Sequence, residues 1–416
     1  MRILVDQSGY DLLNIGDVAM LQSCVVRLQQ QWPGAEIMVI AHSPDRLSHY
    51  CPDAIAIGPT LTKVPWFRFL PRKLRLASDQ GWRMAAPYFS NRIRVERRVP
   101  DPPRTAIQAV QAADLVVASG GAYLTDTWWW HAMGILSLLS LAQRLSKPTA
   151  MFGQGIGPLR QRALRLQAGT VLPGLAALSL REDRIGRDLA LALGIAPSIV
   201  TAGGDDSLEL MSGTSVADGH ALGANLRVSG YAGVERTVAA AVMELVLEAA
   251  AEFSAPIVAL PVSRYPADAD IVAIRALLSR KPSHTDIALD DLTAPEALAS
   301  AAASCRAIVT GSYHAAVFGL AQGVPAVCLT KSGYYDAKFG GLQAQFPGAC
   351  FVVSLDTSDY AARMRDTILQ AWDLPAPARA HARDTAMRLG KAGRAAYAQF
   401  RYAVEGSMTA TIDVKG

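Results

Sequence analysis

Short apolar runs, glycine-bearing turns and helical periods follow one another along the first half of the chain. Arg2-Ile3-Leu4-Val5 reads as a strand, Ser8 to Gly16 as a glycine loop, and Val18-Ala19-Met20-Leu21 as the opening of a helix. Glu36–Ile40, Asp114–Ala118, Pro148–Phe152 and Ala176–Leu180 read as further strands. The third of these five ends in Ser119-Gly120-Gly121 and the fourth in Gly153-Gln154-Gly155. Apolar strands alternating with helices predict a parallel sheet covered on both faces. The pattern restarts after Thr201-Ala202-Gly203-Gly204. Leu222–Leu226, Ile257–Leu260, Ala307–Thr310 and Pro325–Leu329 read as strands, with helices over Val234–Phe253 and Ala294–Ser304.

Length agrees with this restart, since 416 residues exceed one ordinary domain. The expected division is an N-terminal Rossmann-like domain over 1–202, a C-terminal one over 203–375 and a helical tail over 376–416. One stretch breaks the rhythm. Residues 59–100 carry ten Lys/Arg against two acids, so removing that +8 from the chain's +4 leaves −4 elsewhere. The stretch also holds Trp66, Phe67, Phe69, Trp82, Tyr88 and Phe89, and reads as a basic, aromatic insertion suited to a membrane surface. The apolar run Met133–Ala142 is far shorter than the ~20 residues that span a bilayer. Five cysteines without a C-x-x-C pair, and a strand beginning at once after Met1, point to the reducing cytoplasm. The insertion would place the protein at the inner face of the cell membrane.

Several glycine turns follow strands and could hold an anion on backbone N–H groups: Asn14-Ile15-Gly16-Asp17, Gly120-Gly121, Gly153–Pro158 and Gly311-Ser312. Each is equally readable as a plain tight turn. None has the G-x-G-x-x-G or G-x-x-x-x-G-K-[ST] spacing, which argues against hydride and nucleoside-triphosphate chemistry. Scattered histidines and unpaired cysteines give no metal site, and the G-x-S-x-G elbow is absent. No nucleic-acid-binding module is present.

Charged groups at strand ends carry the remaining chemistry. Arg181 and Arg227 each follow a strand directly, and an arginine fork grips carboxylate or phosphate through two bonds. A salt-bridged arginine is the alternative, strongest at Arg181, which Glu182 and Asp183 crowd. His314 lies between a β-rich run and a helix, where an imidazole can move a proton near neutral pH. Lys331 and Lys338 follow the next strand. Asp17 reads equally as a base or as a cap for the helix beginning at Val18. Trp128-Trp129-Trp130 beside the Gly120 turn could stack on a sugar, or could fill a core.

In this order, the Asn14–Asp17 turn, Gly120–Leu124, Gly153–Pro158, Leu180–Asp183, Gly204–Asp206 and the block Ser312–Gly341 resemble the polysaccharide pyruvyl transferase family. The resemblance spans about residues 1–345. It implies an α/β protein with two Rossmann-like domains whose parallel sheets face a central cleft, as in GT-B glycosyltransferases. It also implies phosphoenolpyruvate as donor substrate, no further cofactor, and a saccharide or lipid-linked oligosaccharide acceptor that receives a pyruvate ketal. Matching positions imply that His314, Arg181 and Lys338 line the donor site, with Arg227 as a further member. Taken together with the residue reading, His314 and Asp17 are the catalytic candidates. Arg181, Arg227, Lys338, Lys331, Asn14, Gly120, Gly121, Gln154, Ser312, Tyr313 and Trp129 are the binding candidates. One departure stands out: many members have Arg two residues before the histidine, where this chain has Ser312. The competing readings are a GT-B glycosyltransferase using a nucleotide sugar and a non-catalytic binding protein on the same fold.

Overall fold

The computed structural model describes residues 1–58, 99–210, 219–227, 232–278 and 292–413, with side chains to 406. The basic insertion expected over 59–100, and its membrane contact, lie almost entirely outside the described residues. Two compact units emerge, one from Met1–Leu12, Met20–Asp206 and Ala392–Gly416, the other from Leu13–Ala19 and Ser207–Lys391.

The first unit contains β1 (Arg2–Asp6), most of α1 (Ile15–Gln31), β2 (Glu36–Ile40), α2 (Pro44–Tyr50) and β3 (Ala54–Ile57). It continues with α3 (Ala106–Ala112), β4 (Leu115–Ala118), β5 (Gly121–Leu124), α4 (Trp129–Arg144), β6 (Thr149–Ile156), α5 (Arg162–Val171), β7 (Ala177–Leu180), α6 (Asp183–Ala192) and β8 (Val200–Ala202). The strands form one parallel sheet in the order β3-β2-β1-β4-β6-β7-β8, with β5 paired to β6. Leu115-Val116-Val117-Ala118 is buried at every position, as a sheet covered on both faces demands. Asp6, the last residue of β1, lies opposite Ala118, the last of β4.

The expected turn at Gly153-Gln154-Gly155 is instead part of β6, which runs on to Ile156. A register shift against β7 and a positive φ of 57° at Gly153 absorb the irregularity. Gly155 is required by its surroundings: a Cβ there would come within 2.9 Å of the Arg181 guanidinium and the Glu182 carboxylate.

The second unit contains β9 (Ala221–Asn225), α7 (Arg236–Glu252), β10 (Ile257–Ala259), α8 (Asp270–Leu278), α9 (Pro295–Ala303), β11 (Cys305–Thr310) and α10 (Tyr313–Ala321). Then come β12 (Ala326–Thr330), α11 (Gly333–Gln345), β13 (Cys350–Ser354), α12 (Tyr360–Trp372) and the first part of the long α13 (Ala376–Asp413), one continuous helix over the expected tail. Its parallel sheet runs β10-β9-β11-β12-β13. Strand alternation divides the core between the two faces. Ile308, Ala326 and Cys328 join one apolar cluster, while Ala307, Val309, Val327 and Leu329 join the other.

The first turn of α1 belongs to this second unit. Ile15 N–H donates to the Val262 carbonyl at 3.0 Å, Arg264 N–H donates to the Leu13 carbonyl at 2.7 Å, and Asn14 forms a β-bridge with Ser263. The end of α13 belongs to the first unit. There Tyr397 stacks on Phe152 with 3.7 Å between centroids and donates to Asp206 Oδ2 at 3.0 Å. Asp206 also pairs with the buried Arg27 at 2.5 Å. Among the described residues no helix is long and apolar enough to cross a membrane.

Candidate functional site

In the second unit, the two turns singled out at opposite ends of the sequence meet. A Cβ built on Gly16 would lie 2.0 Å from His314 Cγ and Nδ1, so the imidazole sits directly against the Gly16 backbone and only glycine fits. Asn14 caps α1, its Oδ1 accepting from the N–H groups of Gly16 at 3.0 Å and Asp17 at 3.2 Å. The helix therefore starts at Ile15 rather than Val18, and the capping role considered for Asp17 falls to Asn14. Asp17 sits half-buried in the first turn. The N–H groups of Ile15 and Val18 are also engaged, with the carbonyls of Val262 and Asn14. The opening N–H groups of α1 are thus satisfied within the protein, and this turn is not the anion cradle its glycine had promised.

His314 occupies the first turn of α10, which the strand-to-helix turn Gly311-Ser312 places at the end of β11. Ser312 stands at the N-cap position and makes no side-chain cap bond. Its N–H instead donates to Thr310 Oγ1 at 2.8 Å. An N-terminus without a side-chain cap presents the positive end of the helix dipole. Tyr313 packs edge-on to His314, with 5.5 Å between ring centroids.

Lys338, on α11, stands over the rings of Tyr313 (5.1 Å), Tyr334 (4.8 Å) and Tyr335 (5.5 Å) and donates to the Tyr334 hydroxyl at 3.2 Å. Ring faces stabilise an ammonium ion and hold it in place. Lys331 leaves β12 half-buried just before this helix. Arg227 is 6% exposed, and its fork grips Asp270 in two bonds, Nε to Oδ1 at 2.9 Å and an Nη to Oδ2 at 2.8 Å. Oδ2 of Asp270 also accepts from Asn225 Nδ2 and the N–H groups of Val262 and Ser263, each at 2.9 Å. Arg227 is thereby fixed beside Gly311, whose added Cβ would meet its backbone nitrogen at 3.2 Å. Asp270 and the two tyrosines of α11 were missed in the sequence. Tyr334-Tyr335 three and four residues before Lys338 is the helical spacing that signals the cage.

The other candidates lie in the first unit. Arg181 is 1% exposed, donates through Nε to Glu182 at 2.9 Å and lies 3.6 Å from Asp205. Its guanidinium is directed at carboxylates of its own unit, as the salt-bridged alternative has it. Gln154 is fully buried and its amide bonds the Ser119 carbonyl and the Tyr123 hydroxyl at 2.7 Å each, bracing the glycine turn. Gly120 packs on Met20, and Gly121 on Tyr123 and Ser8. Trp129 is half-buried against the core and stacks on Trp130 at 3.6 Å, while Trp128 and Trp130 are exposed. Only one of the three indoles serves the core.

A comparison with curated proteins finds no match. Solved structures match over nearly the whole chain. A UDP-GlcNAc 2-epimerase from Neisseria meningitidis gives a TM-score of 0.53 at 11% identity, covering 94% of this chain and 97% of that one. A glycosyltransferase from Rickettsia africae gives 0.52 at 10%, covering 97% and 98%. The kitacinnamycin glycosyltransferase gives 0.55 at 12%, covering 95% and 97%. At such identities the likeness establishes the fold, which is of the GT-B type. The sequence itself goes further: a family model described as polysaccharide pyruvyl transferase matches residues 14–332, from the Asn14 cap to the start of α11, and the chain belongs to that family.

Proposed function

We propose that the protein transfers the pyruvyl group of phosphoenolpyruvate to a hydroxyl pair of a saccharide, forming a pyruvate ketal and inorganic phosphate. The observation that carries this reading is the packing of His314 on Gly16, which joins both ends of the family match in one place. His314 is the general acid that protonates the methylene carbon of the donor, a role ordinarily contributing ~10²–10⁴-fold. One hydroxyl oxygen adds to the resulting cationic carbon. Phosphate leaves with the electron pair of its C–O bond, and the second hydroxyl closes the ketal. Of the two hydroxyl protons released, one restores His314 and the other leaves with phosphate. Asp17, beside Gly16, is the residue proposed to take a hydroxyl proton.

Phosphoenolpyruvate carries a phosphate and a carboxylate, so its site needs positive potential. Lys338, Lys331 and the start of α10 at Ser312 and Tyr313 are proposed to supply it, with Arg227 anchored alongside. Lys338 over Tyr313 supports a cation near the position where Ser312 replaces the family's usual arginine. The test is phosphate release from phosphoenolpyruvate against a panel of sugar acceptors, with nucleotide sugars as control donors. Acceptor-dependent release is expected; turnover of a nucleotide sugar instead would replace this reading with glycosyl transfer.

A further inference from the structure

We propose that Asp270 is a positioning residue for anion binding in the second unit: it fixes the Arg227 guanidinium, and anion affinity depends on that fixation. Arg227 lies two residues past the end of β9. A long, rotamer-rich side chain there loses much freedom when a ligand arrives, unless something already holds it. One carboxylate does so. Asp270 Oδ1 accepts from Arg227 Nε at 2.9 Å and Oδ2 from Nη2 at 2.8 Å, a side-on grip that sets the plane of the fork. Asp270 is itself immobilised at the first position of α8. Its Oδ2 also accepts from Asn225 Nδ2 and from the N–H groups of Val262 and Ser263, each at 2.9 Å. Its own N–H donates to the Ser263 carbonyl at 3.0 Å. Five donors thus converge on two oxygens, from Arg227, from the end of β9 and from the segment after β10.

A buried ion pair adds little stability, because desolvation of both charges offsets their attraction. What this pair does supply is a cation whose plane is set before a ligand arrives, and such preorganisation raises affinity. The Arg227 side chain keeps 6% of its surface exposed and that of Asp270 none, so a ligand meets the arginine and Asp270 acts through it. The position agrees. Gly311 N–H donates to the Asn225 carbonyl at 2.9 Å, and a Cβ on Gly311 would meet Arg227 N at 3.2 Å. The arginine's backbone is therefore pressed against the turn that opens α10 and carries His314. A guanidinium fork set there is suited to phosphate or carboxylate. Naming the anion phosphoenolpyruvate rests on the pyruvyl-transfer reading; the dependence of anion affinity on Asp270 does not.

The experiment is a double-mutant cycle on the full chain. Binding of phosphoenolpyruvate and, separately, of inorganic phosphate is measured by calorimetry for the wild type, Asp270→Asn, Arg227→Met and the double variant. Asparagine can keep an oxygen toward the two backbone N–H groups, so Asp270→Asn breaks the grip on the arginine rather than the segment behind it. Each single substitution should weaken phosphoenolpyruvate roughly tenfold or more. The double variant should bind no more weakly than Arg227→Met, because Asp270 acts through the arginine. In turnover, Asp270→Asn should raise KM for phosphoenolpyruvate and leave kcat little changed, a split that general loosening of the fold does not produce. Should Asp270→Asn fail to fold, Arg227→Lys keeps the charge without the fork and should lose affinity in the same direction. Wild-type affinity in Asp270→Asn or Arg227→Lys, effects of the two single substitutions that multiply, or a wild type that binds neither anion would each overturn the proposal. A chain whose phosphate binding obeys the cycle, yet which releases no phosphate from phosphoenolpyruvate with any acceptor, would overturn the pyruvyl-transfer reading and leave the role of Asp270 standing.

Discussion

At the strand ends of the first unit, Asp6, Tyr10 and His131 are packed so tightly that burial drives both titratable partners toward their uncharged forms. At the strand ends of the second unit, Lys338 and Arg227 are held beside groups that stabilise charge: three tyrosine faces for one, a carboxylate for the other. Both sheets are parallel, and both present glycine turns at the same edge. The difference lies in what packs behind each polar group. A strand end surrounded by rings and backbone without a counter-ion suppresses charge, while one that supplies an ion partner or a quadrupole keeps it. The same fold thus offers an uncharged edge and a cationic one.

The largest expected effect falls on the cationic side. His314→Ala should lower phosphate release from phosphoenolpyruvate by roughly 10²–10⁴-fold with the circular dichroism spectrum intact; retained turnover would remove His314 from the mechanism. On the uncharged side, the Asp6 carboxyl ionises near 7 in the fold against 3.8 for the free group. The folded state holds the extra proton between these values, so the contribution of Asp6 to stability is complete below pH 4 and is lost as pH rises through 7. Asp6→Asn keeps the uncharged shape. Its stability relative to wild type should therefore grow by on the order of 4 kcal/mol from pH 4 to pH 8, measured by urea unfolding. His131 titrates in the opposite sense, its contribution being lost as pH falls through 6.5 toward 4, and it cancels because both chains carry it. A difference that stays flat with pH would show that Asp6 is not held protonated.

Smaller effects sharpen the contrast. Lys338→Met should weaken phosphoenolpyruvate binding roughly 10–100-fold, the scale of a charge-assisted bond. Loss in kcat alone, with donor affinity unchanged, would assign the ammonium elsewhere. Tyr334→Phe removes one hydroxyl and keeps the ring, so donor affinity should fall by less than about tenfold. A larger loss would mean that the hydroxyl, and not the aromatic face, holds Lys338.

The architecture was legible because periodicity survives burial: the runs at Arg2–Val5, Asp114–Ala118 and Ala307–Thr310 each sit on an observed strand. Glycine was ambiguous. Gly16 marked a close approach by a side chain distant in sequence, whereas Gly153 and Gly155 are strand residues shaped by neighbours such as Asp206, Arg181 and Glu182. Arginine was ambiguous for a related reason. A guanidinium at a strand end looks the same in sequence whether a ligand or Glu182 and Asp205 receives it. The Asp6 cluster was hardly visible, because its meaning comes from His131 and His42 converging on Tyr10 from separate helices and turns. The only local signal was a carboxylate closing an apolar strand.

The tyrosine cage also governs how Lys338 meets reagents. Acylating electrophiles need an open line of approach to the amine nitrogen. Three rings within 5.5 Å of the nitrogen obstruct that approach. In a timed labelling experiment with a succinimidyl ester, Lys338 should be modified well after the exposed Lys391. Removing a ring should bring the two rates together, so the order of labelling reports the integrity of the cage without any substrate in hand.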